Sequence, residues 1–132
     1  MTTEADIQAA IRLALGRMPA VRLWRNAMGD AWQGKVASHD GTVVTLIGAS
    51  HVKFGIGLPG GSDLIGCRQV LVTPAMAGRV IAQFVAIEVK PPPPRRLKFE
   101  EGQEAFIAFV QQFGGVAGVA RSAEDAERII ST

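Results

Sequence analysis

The chain lacks several features, and each absence narrows its chemistry. Cysteine occurs once, at Cys67, so no internal disulfide framework can form, which fits a reducing compartment. Cys67 follows Ile65 and Gly66 in an apolar context that suits a small core residue better than a nucleophile. Only two histidines occur, His39 and His51, and neither stands at metal-ligand spacing from a cysteine or from the other. Both read as surface or loop residues, with His51 close to Lys53 in a loop free of acids. Long hydrophobic runs are missing: the longest uncharged one, residues 105–120, is too short to span a bilayer and contains Gln and Gly. The opening "MTTEADIQAA" carries acids and no apolar segment of the signal-peptide kind. A soluble cytoplasmic protein with no membrane partner is the expectation. Internal repeats and interdomain linkers are absent as well, and 132 residues suffice for a single domain, 1–132, around one core.

Acids are also missing from two stretches. Residues 7–29 carry Arg12, Arg17, Arg22 and Arg25 without a carboxylate, and residues 41–62, which include Lys53, have none. Arg95, Arg96 and Lys98 cluster after four prolines. A net charge of +2 does not demand a polyanionic partner, and solubilising surface charge is its plainer explanation. It is the clustering that makes these eight cations candidates for phosphate contact.

The pattern of apolar residues predicts an α+β chain with a mixed sheet flanked by helices. Thr3 and Asp6 have capping-box spacing before a helix whose inward stripe is Ile7, Ala10, Ile11, Ala14 and Leu15. Strands are expected at about 21–26, 32–37, 42–48, 64–73 and 79–90, divided by Gly, Asp and Pro turns. The "PPPP" run predicts a stiff polyproline loop. A second helix over about 100–113 carries Phe106, Phe109, Val110 and Phe113, then "GGVAGVA" forms a short buried strand. Ser122 and Asp125 cap a last helix.

Gly55, Gly57 and Gly60 match G-x-G-x-x-G, but Pro59 interrupts the motif, a strand rather than a helix follows, and no acid lies about 20 residues on. No Walker A pattern occurs either, so a nucleotide cofactor is not expected. A serine-histidine-aspartate triad is defined by spatial roles and cannot be inferred here. The awkward residues are carboxylates. Asp63 opens a strand after "GGS". Glu88 and Lys90 lie inside the apolar run "VAIEVK", where alternation places them together on the face opposite Val85, Ile87 and Val89. The strands bearing Asp63 and Glu88 are expected to pair as neighbours, and two close carboxylates are relieved by Mg²⁺ or Mn²⁺. Glu4 falls on the inward stripe of the first helix, and Gln103 turns an amide towards the sheet three residues before Phe106. Separately, each has a bland explanation as ion pair, turn cap or exposed first-turn residue. Together, polar groups aimed inward from several elements point to a site.

The spacing Asp63…Glu88-Val89-Lys90 has the form of the PD-(D/E)xK nuclease signature. With "WRNAMG", "GGSDLIG", "FVAIEVK", "GQEAFI" and "GGVAGVARSAED" in this order, the chain resembles the VRR-NUC domain, the virus-type replication-repair branch of that superfamily, from Glu4 to Asp125. The resemblance implies a restriction-endonuclease-like αβββαβ core, here with an extra N-terminal β-hairpin region, and metal-dependent phosphodiester hydrolysis. It implies catalytic roles for Glu4, Asp63, Glu88, Lys90 and Gln103. Asp63, Glu88 and the Val89 backbone carbonyl would be ligands of Mg²⁺ or Mn²⁺, with Glu4 a further candidate. It also implies a minimal stand-alone phage or prophage product in a bacterial host, a homodimer acting on branched DNA. Arg12, Arg17, Arg22, Arg25, Lys53, Arg95, Arg96 and Lys98 would bind the DNA backbone. The loop after Lys90, "PPPPRRLKFEEG", departs from the family's short glycine-containing turn. The competing expectation is a catalytically silent DNA-binding module, which would have no use for a buried acid pair.

Overall fold

A computed structural model of the chain describes residues 1–131. Two compact units follow one another along the sequence, Met1–Arg68 and the residues from Gln69 onward. The described residues form three α-helices and six strands, and the strands make three two-stranded sheets, so the class is α+β.

In the first unit, helix α1 (Glu4–Gly16) starts at Thr3, whose hydroxyl accepts from the Asp6 amide while the Asp6 carboxylate accepts from the Thr3 amide. This reciprocal box satisfies donors that a helix start leaves open. The Thr3 side-chain and backbone hydrogen bonds also hold the Asp6 carboxyl below its usual range. Helix α1 packs on β1 (Val21–Arg25), and Leu15 is half-buried. Ile7 and Ile11 are 51% and 40% exposed, so the expected inward stripe lies open towards its N-terminal end. Glu4, at that end, is exposed rather than turned to a sheet. A stripe is covered only as far as its partner reaches, and β1 spans five residues.

Strand β1 pairs antiparallel with β4 (Leu64–Arg68), with Leu23 opposite Gly66 and Trp24 opposite Ile65. Between them in sequence runs a long hairpin, β2 (Gly29–Asp40) and β3 (Val43–Phe54), twelve residues to a strand. Its strands are longer than the expected 32–37 and 42–48. It takes in His51 and Lys53, which were expected in a loop. Gly41 makes the turn at φ 58, a conformation in which a side chain would be strained. The register shifts between Gln33 and Lys35 and again between Val36 and Ser38, and such bulges increase local twist. Trp32, Val43 and Ile47 on this hairpin are all exposed.

The second unit begins with a segment expected to extend two long strands, and here the structure differs. Residues 69–84 are outside any ladder, and a 3-10 turn at Pro74–Met76 interrupts them. Pro74 has no N–H to give to a sheet, and Gly78 turns the chain at φ 80. Leu71, Val72 and Val80 are exposed; a β-branched composition does not supply a pairing partner. The strands bearing Asp63 and Glu88 are therefore not neighbours in a ladder. Strand β4 pairs with β1, whereas β5 (Val85–Val89) pairs with β6 (Val116–Ala120) in parallel.

A parallel pair needs a crossover, and α2 (Gln103–Gln112) supplies it. It starts three residues later than the sequence implied, after Gly102 at φ 83. Helix α3 (Ala123–Ile130) begins where Ser122 accepts from the Asp125 amide, at 3.1 Å. Two close approaches mark where the helices pack. A Cβ on Gly115 would lie 2.7 Å from Val110 of α2, and one on Gly118 would lie 2.9 Å from Ile129 of α3. Gly118 stands opposite Ile87 in the ladder, and Gln103 at the start of α2 bonds to Glu88, which alternation puts on the other face, so the two helices flank the β5–β6 ladder. The buried core consists of Val110, Ala117 and Ala120 among the described residues. Also among these residues, no helix is long and apolar enough to cross a membrane.

Candidate active site

Strand β5 runs Val-Ala-Ile-Glu-Val and is followed directly by Lys90. Its two faces depart from the usual arrangement. The Lys90 side chain is only 9% exposed and that of Glu88 27%, whereas Val85 and Val89 are 46% and 75% exposed. Ile87, at the middle of the valine face, is half-buried too, so the charged pair is covered along with the strand's central isoleucine. Lys90 Nζ lies 3.0 Å from Glu88 Oε1, and partial removal from water strengthens that attraction.

The first residue of α2 completes the cluster. Gln103 Nε2 donates to Glu88 Oε1 at 2.8 Å, and Gln103 Oε1 accepts from Lys90 Nζ at 2.7 Å. A carboxylate only accepts and an ammonium only donates, so the two partners fix which end of the amide points where. Gln103 Oε1 also accepts from the Glu100 amide at 2.7 Å, which ties the preceding connection to the first residue of α2. The Phe99 ring covers the ammonium, with its centroid 5.3 Å from Nζ. Burying a charge pair costs solvation, and the bonds from Gln103 offset part of that cost. An open cleft of about 540 Å³ lies against this cluster, lined by Glu88 and Gln103 with Glu101, Phe84, Phe106 and Ile107.

Of the five residues expected to be catalytic, the structure gathers Glu88, Lys90 and Gln103. Glu4 and Asp63 belong to the first unit, and both are exposed. Asp63 stands immediately before β4, and its carbonyl accepts from the Asn26 amide at 2.8 Å. Val89 ends β5 opposite Ala120.

Asn26 is the residue that sequence reasoning missed. Its Nδ2 donates to the carbonyls of Ile56 (2.8 Å) and Ser62 (2.9 Å), and its Oδ1 accepts from the Ile56 amide at 2.9 Å. One side chain thus ties both ends of the glycine-rich loop that leads into Asp63. Gly57 and Gly60 adopt φ 81 and 87 there, so the glycine spacing serves a turning backbone that enters a strand. The only hint of this role was an Asn directly after a strand, within "WRNAMG".

All eight candidate DNA-binding cations are exposed. Arg12 lies on α1 and Arg17 at its C-terminal cap, while Arg22 and Arg25 on β1 face opposite ways by alternation. Lys53 lies opposite Asp30 in the hairpin. Arg95, Arg96 and Lys98 occupy the connection between β5 and α2. His51 Nε2 lies 3.3 Å from Asp30 and its ring 5.2 Å from that of Trp32, which gives this histidine a structural setting in the hairpin. Burial pushes the Cys67 thiol up, and the Arg22 guanidinium opposes this in part. A protonated, half-buried thiol is a poor nucleophile.

Among the described residues, no three His, Cys, Asp or Glu side chains form a ready-made metal cage. The Glu88 carboxylate alone still offers an oxygen suited to a hard cation, because Mg²⁺ takes one or two carboxylates and completes its shell with water and phosphate oxygens. Comparison with protein-family models, curated proteins and solved structures yields no match.

Proposed function

We propose that the protein is a Mg²⁺- or Mn²⁺-dependent endonuclease that hydrolyses phosphodiester bonds in DNA. Branched DNA of the four-way type is its substrate and a homodimer its working form. The observation that carries this reading is the hydrogen-bonded cluster of Glu88, Lys90 and Gln103, part-buried, with Glu88 and Gln103 lining an open cleft. A part-buried charge pair is costly to maintain for stability alone. Two further supports are the likeness to VRR-NUC sequences and the element order. With the β2–β3 hairpin set aside, the order along the chain is α1, β1, β4, β5, α2, β6, compatible with an αβββαβ sequence of elements, and the strands pair in three two-stranded sheets.

In this reading Glu88 would hold the cation through a carboxylate oxygen, with the Val89 carbonyl as a further donor, and the resemblance would add Asp63 and Glu4 of the first unit. The cation supplies Lewis-acid polarisation of a phosphoryl oxygen. Lys90 offers a fixed positive charge where negative charge develops on the phosphate, and being fixed beforehand it needs no reorganisation during the reaction. Gln103 orients both members of the pair through one amide. The exposed arginines and lysines contact backbone phosphates, which positions DNA without reading bases. Symmetric incision of a two-fold junction calls for two sites related by a matching axis, hence the dimer.

The test is incubation with labelled linear, flap and four-way DNA in Mg²⁺, Mn²⁺ or EDTA, with light scattering on the junction complex. Expected are cleavage with either metal and none with EDTA, preference for the four-way substrate, and a dimeric mass. Binding of all three DNAs without cleavage in either metal would overturn the enzyme and leave a DNA-binding module.

A further inference from the structure

We infer that Phe99 is a positioning residue for Lys90, resting on the nuclease reading of the same site. Glu88 and Gln103 hold the ammonium by its hydrogen-bond donors, at 3.0 and 2.7 Å. Those contacts engage the donors of the ammonium and leave its remaining side to other neighbours. The half-buried Phe99 ring is one such neighbour. Its centroid lies 5.3 Å from Nζ, within the distance at which the negative face of an aromatic ring attracts a cation. The ring is itself placed by its neighbour, because the Glu100 amide donates to the same Gln103 oxygen that accepts from Lys90, at 2.7 Å. Residues 99, 100 and 103 therefore act as one bracket around the ammonium. Phe99 and Glu100 lie on the proline-led connection at which this chain departs from the family pattern, and Gln103 opens the helix that follows it, so the bracket is a local solution to keeping Lys90 in place.

The ring, rather than bulk alone, is the feature assigned. Phe99→Leu keeps an apolar side chain without the ring face, and Phe99→Tyr keeps the face. The readout is the rate at which an amine-acylating reagent labels Lys90 at fixed pH, followed by mass spectrometry, beside single-turnover cleavage and DNA affinity. Expected is a roughly three- to tenfold faster labelling of Lys90 in Phe99→Leu, the span of an ammonium–aromatic contact, with the parental rate in Phe99→Tyr. The cleavage rate should fall in Phe99→Leu by a similar factor with DNA affinity unchanged, because Phe99 is placed to touch the lysine and not the phosphate. Should Phe99→Leu lose its helical circular dichroism, Phe99→Met makes the same comparison. Parental labelling in the ringless variant, or equal labelling in Phe99→Tyr and Phe99→Leu, overturns the assignment. So does faster labelling with no change in cleavage by an active chain. A parent that cuts no DNA sinks the nuclease reading by itself, while the labelling ratio still decides whether Phe99 holds Lys90.

Discussion

Glu88 and Lys90 are two residues apart and 3.0 Å apart in space, a geometry shared by catalytic and purely structural pairs. Removing each half separately tells them apart. Glu88→Gln or Asp63→Asn takes a charged oxygen from a hard cation, so Mn²⁺ binding and cleavage should fall together while DNA affinity holds or rises. Lys90→Ala leaves those oxygens in place and deletes a neighbouring positive charge, so Mn²⁺ should bind at least as well. Cleavage should nevertheless drop by about a hundredfold, the cost of losing a group that stabilises charge chiefly in the transition state. Calorimetric Mn²⁺ titration and single-turnover cleavage on the same three variants, with folding checked by circular dichroism, make the comparison. Parental cleavage by Lys90→Ala would reduce Lys90 to the ion-pair partner of Glu88. The shared face of Glu88 and Lys90 was legible because strand alternation is strict. The inward turn of Gln103 was legible from its spacing to Phe106. The Phe99 contact was not, since it depends on how a proline-rich connection folds back, and no periodicity describes that.

At the scale of elements, the helix starts were readable where side chains announce them: Thr3 with Asp6, and Ser122 with Asp125, cap as their spacing implies. Strand partners were not. Residues 69–84 are as apolar as a strand, yet pairing is decided by what lies alongside, and β4 takes β1 while β5 takes β6. The link that sets the entry to β4 is a single asparagine whose amide makes three bonds to the loop backbone. Asn26→Asp is nearly isosteric and keeps the acceptor for the Ile56 amide. It loses both donors and sets a carboxylate against two carbonyl oxygens. The expected outcome is a loss of about 2–3 kcal/mol in urea unfolding, near the cost of leaving two backbone acceptors facing a charge. Faster amide exchange confined to residues 55–63 should accompany it. An unchanged unfolding midpoint would mean that the glycine loop holds its shape without Asn26.

For the molecule as a whole, the candidate cations are divided between the two units. The eight candidate cations are exposed on a helix, its cap, both faces of β1, the hairpin and the connection after β5. Binding through such contacts should depend on salt with a slope set by the number of phosphates neutralised. Replacing Arg95 and Arg96 together by Gln should lower that slope by roughly two and weaken linear and four-way DNA alike, as fluorescence anisotropy across a salt series would show. Loss of affinity for one DNA shape alone would mean that these arginines read structure. A different constraint comes from the β2–β3 hairpin, whose twelve-residue strands show Trp32, Val43 and Ile47 to solvent. A long, flat, apolar edge invites pairing with another chain. The two register shifts near Gln33 and Val36 bend and over-twist it, and a twisted edge is a poor template. Straightening them is expected to lower the concentration at which the protein stays dispersed, as light scattering across a concentration series would show.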